Sequence, residues 1–389
     1  MRDVIVIGFS YTTVLGVVRS LGEAGFRIKL ITFGAGHDII AASKYVVQAL
    51  KVKRQYDLMY QAMEELRGDA DRILVVPVQD WACLNIDQHA EELTKHYDFP
   101  CALGEIGGLS RVMDKGFQKQ LAMECGITVA KGSEFPTTPE GIERAKQSAD
   151  FPCLIKPARS AEAYGSKQLI TPCKDADELE EKMILAREAA STSVVVEKFL
   201  DIEEELCAYG FAVNGKAYIP AYIKAVSSGV GPHKGIAAEG VVEPIEDLGE
   251  LKGKLELLAE KSKLNGLFCM DLLVSEGKIH FSEMNTRCGA SEYAVTRAGA
   301  NLPGAFVAAF YGETPDLDFH VRAGSRYVNE KVVVDSYRGG HISFKECIRA
   351  IWKNEIGFVK NREDPAPWKR FLRLLVRKTA ARILKGPQD

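Results

Sequence analysis

Glu283, Asn285 and Arg287 recur on every second residue at the end of the segment CMDLLVSEGKIHFSEMNTR, which begins at Cys269. Successive side chains of a strand point to opposite faces, so these three share one face. Asp271 lies on the strand paired with theirs across a turn at Glu276-Gly277. Two acids, an amide and a guanidinium at one end of a two-stranded ribbon form a constellation that calls for a charged ligand. The plainer reading, a surface ion pair between Glu283 and Arg287, leaves Asp271, Asn285 and two upstream lysines unexplained.

One of those lysines closes the buried run FPCLIKP at Lys156-Pro157 and is followed by a loop carrying Arg159, Gly165, Ser166 and Lys167. An ammonium at the end of a strand beside loop amides is what a polyphosphate requires: a point charge, with N–H groups to wrap the terminal oxygens. A third segment, SVVVEKFLDIEEEL, carries an apolar strand to Glu197 and bends through Lys198, Phe199 and Leu200. Acids at a strand exit can receive an adenine amino group or ribose hydroxyls, and the peptide groups of residues 198–200 can meet an adenine edge. Glu203 and Glu204 read as an acidic surface turn.

These residues need elements to hold them. DVIVIG runs through FSYTT into an amphipathic helix, a stop at Gly25 and a second strand, and RILVVPVQD is a further buried strand ending in Gln79 and Asp80. Strand and helix alternate as in a doubly wound parallel sheet, which presents ligand-facing groups at its strand ends. The turn GFSYTT holds one glycine, so it fails the Gly-x-Gly-x-x-Gly fingerprint and argues against a nicotinamide dehydrogenase. MDKGFQKQLAMECGI predicts a helix after Asp114 that stops at Gly126.

With 389 residues the chain has room for two or three cores. A net charge of -3 gives no argument for nucleic acid, and nine scattered cysteines without a Cys-x-x-Cys pair read as reduced packing residues. The opening MRDVIVIG is a strand without a leader's apolar core, and nothing approaches a membrane span, so the compartment expected is the cytoplasm.

In order and in detail these parts resemble the ATP-grasp superfamily, of the carboxylate-amine ligase type, over roughly residues 1 to 312. The resemblance implies an α/β fold: a pre-ATP-grasp, doubly wound parallel domain at 1–112, a small lobe with its phosphate loop at 113–197, a large lobe with a metal hairpin at 198–312, and a helical C-terminal extension at 313–389. Ser43-Lys44-Tyr45 is similar to a recurring Ser-Arg-Tyr of the first domain. By the resemblance, Lys115 and Lys156 reach the nucleotide phosphates, with Ser160, Gly165 and Ser166 in the phosphate loop. Glu197, Lys198, Phe199 and Leu200 meet adenine, Glu205 meets the ribose, and Asp271, Glu283 and Asn285 hold magnesium, or manganese in its place. Magnesium on hard oxygen ligands neutralises the β and γ phosphates, and Arg287 with Lys156 serves the reacting carboxylate and phosphoryl groups. The chemistry implied is attack of a carboxylate on ATP, an acyl phosphate, and displacement of phosphate by an amine. A carboxylase or a carboxylate-thiol ligase would use the same residues, and a non-catalytic nucleotide-binding regulatory module would bind ATP without making ADP. The phosphate loop departs from the family in having a single glycine, Gly165.

Substrate recognition is expected in the loop from Ser227 to Pro244, through His233 and Glu239, and at Ser291 beside Arg287. Small-molecule carboxylates and amines are the expected partners, the acid being an amino acid or a cell-envelope or small-peptide precursor, and a homodimer is compatible with this. The tail WKRFLRLLVRKTAARILKG, 368–386, holds seven basic residues and no acid, with Trp368, Phe371, Leu372, Leu375, Thr379 and Ile383 along one helical stripe. Two readings stand: a terminal helix docked on the body, or peripheral attachment to the inner face of an anionic membrane.

Overall fold

Buried parallel strands flanked by helices form the first layer of the computed structural model, which describes residues 2–158, 171–229, 236–315 and 317–385. β1 (Asp3–Gly8), β2 (Arg27–Thr32), β3 (Val46–Lys51), β4 (Ile73–Pro77) and β5 (Tyr97–Asp98) pair in the order β3-β2-β1-β4-β5. β1 and β4 are apolar almost throughout, because helices cover both faces of a parallel sheet. Gly25 takes a φ of +89° after the Tyr11–Glu23 helix, the left-handed stop that the sequence predicts. The order reverses between β1 and β4, so the ends of these neighbours, at Gly8 and at Gln79-Asp80, open on one crevice.

The second sheet is antiparallel. β6 (Gly132–Pro136), β7 (Cys153–Pro157), β8 (Thr171–Cys173) and β9 (Ser193–Lys198) run in the order β6-β9-β7-β8. The Pro139–Ser148 and Ala176–Glu188 helices bury Ile142, Ala145, Leu179 and Met183 against Ile155, Val194 and Val196. Thr138 and Asp175 cap these helices by accepting from backbone N–H groups of their first turns.

The third sheet has seven strands: β10 (Glu204–Val213), β11 (Lys216–Ser228), β12 (Ala237–Pro244), β13 (Gly266–Ser275), β14 (Lys278–Asn285), β15 (Ser325–Val328) and β16 (Ile356–Gly357). They are ordered β14-β13-β10-β11-β12-β15-β16. Its hairpins turn at Asn214-Gly215 and Glu276-Gly277, all four residues with positive φ, as a two-residue type I′ connection requires.

The C-terminal extension, read from sequence as helical, also adds β15 and β16 to this sheet, and buried charge ties it to the first layer. Arg19, fully buried, donates to Asp364 Oδ2 at 3.0 Å and to the carbonyls of Phe358 and Val359, and Ser43 donates to the same carboxylate at 2.8 Å. The Ser-Lys-Tyr segment is thus part of a structural joint. The Ala366–Lys385 helix docks through Phe371, which packs on Tyr11 and Trp368. Leu372, assigned to the apolar stripe from sequence, is instead exposed, and Leu374 and Leu375 pack inward: the docked stripe follows 368, 371 and 374/375. Among the described residues no helix is long and apolar enough to cross a membrane, and all nine cysteines are reduced.

Candidate active site

Asp271 and Glu283 are direct cross-strand partners, and a bulge makes them so. From the Glu276-Gly277 turn the register runs Ser275↔Lys278 to Leu272↔Phe281; an irregularity between Asp271 and Leu272 then absorbs Ser282 and sets Asp271 against Glu283 and Cys269 against Asn285. Opposed residues of an antiparallel pair project to one face, so the two carboxylates and the amide converge. Asn285 Nδ2 donates to Asp271 Oδ2 at 3.2 Å.

Lysines approach this hairpin from the Lys115–Glu124 helix, whose first turn is capped by Asp114 accepting from the Phe117 N–H at 2.9 Å. Positions 115, 118 and 119 share a helical face. Lys115 pairs with Glu283. Gln118 is inserted against the open edge of β14: its Nε2 donates to the Met284 carbonyl at 2.7 Å and its Oε1 accepts from the Met284 N–H at 2.8 Å. Lys119 and Lys156, the latter near the end of β7, bind the two oxygens of Glu197 on the neighbouring β9.

Beside the hairpin lies a cavity of about 430 Å³ walled by β10, β13, β14 and the segment 287–291. Glu205, Asp271, Glu283, Asn285, Arg287, Ser291, Tyr209 and Tyr327 line it. Arg287 is held by Asp80 at the end of β4, Nε to Oδ1 at 2.9 Å, so the crevice of the parallel sheet and the metal-type hairpin meet at one ion pair. Gly289 lets the segment lie on the sheet, since a Cβ there would come within 2.7 Å of the Tyr209 ring and 2.9 Å of Cys269 Sγ. Ser291 donates through Oγ to the Tyr327 hydroxyl at 3.1 Å.

Burial and the facing charge of Glu283 push the Asp271 carboxyl up to about 6. Burial would also raise Glu283, but Lys115, with help from Lys156 and Arg287, holds it below the usual range. Burial would lower the Lys115 ammonium, and Glu283, Asp271 and Glu197 keep it raised. For Lys119 burial prevails over Glu197 and the ammonium is lowered. Glu197 stays low despite burial because two lysines flank it. Asp271 and Glu283 with the Asn285 amide are therefore a hard-oxygen set short of positive charge at Asp271, with one ammonium beside Glu283 where a cation would sit. That donor chemistry fits magnesium. The amide contributes its oxygen if its plane is turned from the Asp271 contact. No group of three His, Cys, Asp or Glu poised for a metal occurs among the described residues, so the amide is needed to complete the set.

No known protein-family profile matches the chain. It is similar to formate-dependent phosphoribosylglycinamide formyltransferases of Sulfurovum sp., 24% identical over 192 residues (48% of this chain, 47% of the relative), and of Bacillus velezensis, 26% identical over 188 residues (45% of each). The chain spans about half the length of these curated relatives. Among solved structures, N5-carboxyaminoimidazole ribonucleotide synthetase in its ADP complex superposes with a TM-score of 0.65 at 16% identity, covering 87% of this chain and 84% of that one. The biotin carboxylase domain of Hydrogenobacter thermophilus 2-oxoglutarate carboxylase gives 0.63 at 15% identity (83% and 73%), and the L-amino acid ligase of Bacillus licheniformis 0.58 at 14% (82% and 78%). The chain has the ATP-grasp fold.

Within the ATP-grasp frame most of the residues singled out from sequence come together. Lys115, Lys156 and Glu197 form one cluster, Asp271, Glu283, Asn285, Arg287, Glu205 and Ser291 border one cavity, and Lys115 joins the two. Glu205 lines the cavity, whereas the neighbouring Glu204 pairs with Lys224.

One expected residue, Glu239, lies away from the cavity, and others have partners the sequence did not announce. Glu239 is directed elsewhere, accepting from Asn354 Nδ2 at 2.7 Å and from Ser227 Oγ at 3.3 Å in a separate groove, because a register irregularity sets Glu239 opposite Ser227 but the cavity-lining Ala237 opposite the adjacent Ser228. Glu197 has one oxygen on Lys119 and the other on Lys156. The Lys198 and Phe199 amides donate to the Lys131 and Pro152 carbonyls at 2.7 and 3.0 Å. Ser160, Gly165, Ser166 and His233 lie outside the described residues.

Sequence reasoning missed Lys119 and Gln118, whose signal was the helical spacing from Lys115, and the bond between Asp80 and Arg287, which no local pattern announces. It also missed Glu292, fully buried with neither oxygen hydrogen-bonded, whose carboxyl burial pushes up to about 8.

Proposed function

We propose that this chain is an ATP-dependent carboxylate-amine ligase, which activates a small carboxylic acid as its acyl phosphate and releases ADP and phosphate as an amide forms. The observation that carries this reading is the junction of two acids, an amide and Lys115 at the edge of a cavity that also holds Arg287. The matched relatives, whose names specify a formyltransferase that uses formate, support an acid as the activated partner. Residues 113–197 and 198–312 serve as lobes that grip the nucleotide, with 1–112 bringing up the crevice at Asp80 and 313–389 completing the large sheet.

Lys156 and Lys115 bind phosphate oxygens of ATP. In doing so they exchange the Glu283 and Glu197 carboxylates for phosphate oxygens. Glu205 receives a ribose hydroxyl, and the Leu200 peptide group with the Lys198 and Phe199 carbonyls borders the base. Asp271, Glu283 and Asn285 would hold magnesium, which supplies charge neutralisation of the β and γ phosphates. Arg287, its guanidinium fixed by Asp80, orients the substrate carboxylate. One oxygen of that carboxylate attacks the γ phosphorus, and the bond from phosphorus to the bridging oxygen of ADP breaks. The amine nitrogen then attacks the acyl carbon, the acyl–oxygen bond to phosphate breaks, and the amine's proton passes to solvent or phosphate. Lys156, Lys115 and Arg287 meet the charge that develops on the transferred group. Cys288 is buried with its thiol pushed up, which suits packing and not nucleophilic attack.

The cavity, about 430 Å³ with Tyr209, Ile223 and Tyr327 in its walls, suits an acid of amino-acid size, in keeping with the likeness to an L-amino acid ligase. Carboxylation is the second reading, favoured by the likeness to a biotin carboxylase domain. Phosphate release across a matrix of acids and amines, with bicarbonate and thiols as separate arms and mass spectrometry of the products, tests both. ADP formation dependent on an acid and an amine, with the amide detected, is the expected result. ADP formation with bicarbonate alone would favour the carboxylase, and ATP binding without ADP under every combination would refute the ligase.

A further inference from the structure

The Phe344–Lys353 helix carries two parallel stripes. Cys347, Ala350 and Ile351 face the core, but Phe344, Ile348 and Trp352, each four residues from the last, stand outside it at 61%, 39% and 68% exposure. One residue further on, Lys345, Arg349 and Lys353 repeat the same step as an exposed basic stripe. At about 100° per residue the second stripe lies beside the first on the solvent side. The patch extends past the helix: Tyr337 packs on Phe344 with ring centroids 5.6 Å apart, and Lys360 sits 3.6 Å over the Trp352 ring. Nearby acids are engaged, Glu346 in the capping box with Ser343, Asp335 with Lys331 and Glu355 with Arg322.

Large apolar side chains are seldom left this exposed along a row without something to cover them. Here they line no groove themselves, the neighbouring one being edged by Arg349 and Lys353 of the basic stripe, and the three exposed cations of the helix outnumber its one exposed acid, Glu346. Protruding aromatic and aliphatic groups edged by lysine and arginine match a lipid headgroup layer: the rings enter the boundary region and the cations meet anionic headgroups. We propose that the Phe344–Lys353 helix is a peripheral docking surface for an anionic lipid bilayer. It would hold the enzyme at a membrane through a segment distinct from the basic tail, whose Phe371 is already buried in the body.

The test is sedimentation of the full chain with phosphatidylglycerol-containing vesicles and with pure phosphatidylcholine vesicles, at low and high salt. Three further proteins are compared: a triple variant Phe344→Ser, Ile348→Ser and Trp352→Ser, a charge reversal Lys345→Glu with Arg349→Glu, and a chain ending at residue 377. All substituted side chains are exposed, and matching unfolding curves and ATP turnover in solution verify that the variants are folded. The wild type is expected to sediment with anionic vesicles only, less at high salt, as screening demands. Each helix variant should lose about tenfold or more in partitioning, the shortened chain should retain it, and Trp352→Phe should abolish any vesicle-induced fluorescence shift. No sedimentation of the wild type, undiminished sedimentation of the helix variants, or loss confined to the shortened chain would overturn the proposal. If the patch instead captures a protein with an acidic groove and ignores lipid, the proposal fails as well.

Discussion

Replacing Asp271 by asparagine should make the metal-free protein more stable while removing its activity. Asp271 is pushed up to about 6 from 3.8 because burial and Glu283 both disfavour its ionised form. A shift of about two units at about 1.4 kcal/mol each makes the ionised carboxylate unfavourable by about 3 kcal/mol in the folded, metal-free state at neutral pH. Asp271→Asn keeps the shape, removes the repulsion and retains an oxygen to accept from Asn285, so a gain of about 1 to 3 kcal/mol is expected. The folded value lies above the unfolded one, so the folded state binds the extra proton between about pH 4 and 6. The contribution of Asp271 is therefore most favourable below that window and is lost as pH rises through it. Urea unfolding in the presence of a chelator, at neutral pH and at about pH 4, should give a stability gain for the variant at the first and none at the second. With MgATP the order should reverse, since only the wild type gains ligand-linked stability. A variant less stable than wild type at neutral pH without metal, or a gain independent of pH, would refute the placement of Asp271 in an electrostatically deficient cation site.

Glu283→Gln removes the acid that Lys115 now holds; ADP formation should fall by orders of magnitude with the unfolding transition intact, and wild-type turnover in a phosphate-release assay would exclude Glu283 from the metal set. Lys156→Ala should weaken ATP binding by about tenfold or more, as expected of one charged phosphate contact worth about 1.5 to 3 kcal/mol, read by calorimetric titration; Lys119 remains on Glu197, so the fold should persist. Glu292→Gln should flatten the pH dependence of stability: its carboxyl is raised from 4.5 to about 8, so its favourable contribution is lost as pH rises through that range, and wild type and variant should converge near pH 5, separate progressively up to about pH 8 and keep a constant gap beyond it in thermal unfolding.

Composition and period determined much of this molecule before any coordinates. The apolar strands DVIVIG and ILVVP, the stop at Gly25 and the two hairpin turns are local matters: a continuous apolar run needs two covered faces, and a positive φ needs glycine or asparagine or a tight turn. The acids and amide on alternate residues, and a lysine on a buried strand, were likewise legible, because residue type and strand period are written in the chain.

Distances between segments are not written there. The hairpin counted from its turn would set Asp271 against Ser282, with Glu283 on the other face; only the bulge that absorbs Ser282 brings the two carboxylates together. The same holds for Glu197, whose oxygens meet Lys119 and Lys156, and for Glu239, carried away from the cavity by a register irregularity in β12. Arg287 and Asp80 are 207 residues apart, and their 2.9 Å contact exists because two sheets meet at their strand ends. A local sequence fixes which face a side chain takes within its own element; what stands opposite depends on register shifts of one residue and on the docking of distant elements, and burial then sets the charge each group can carry.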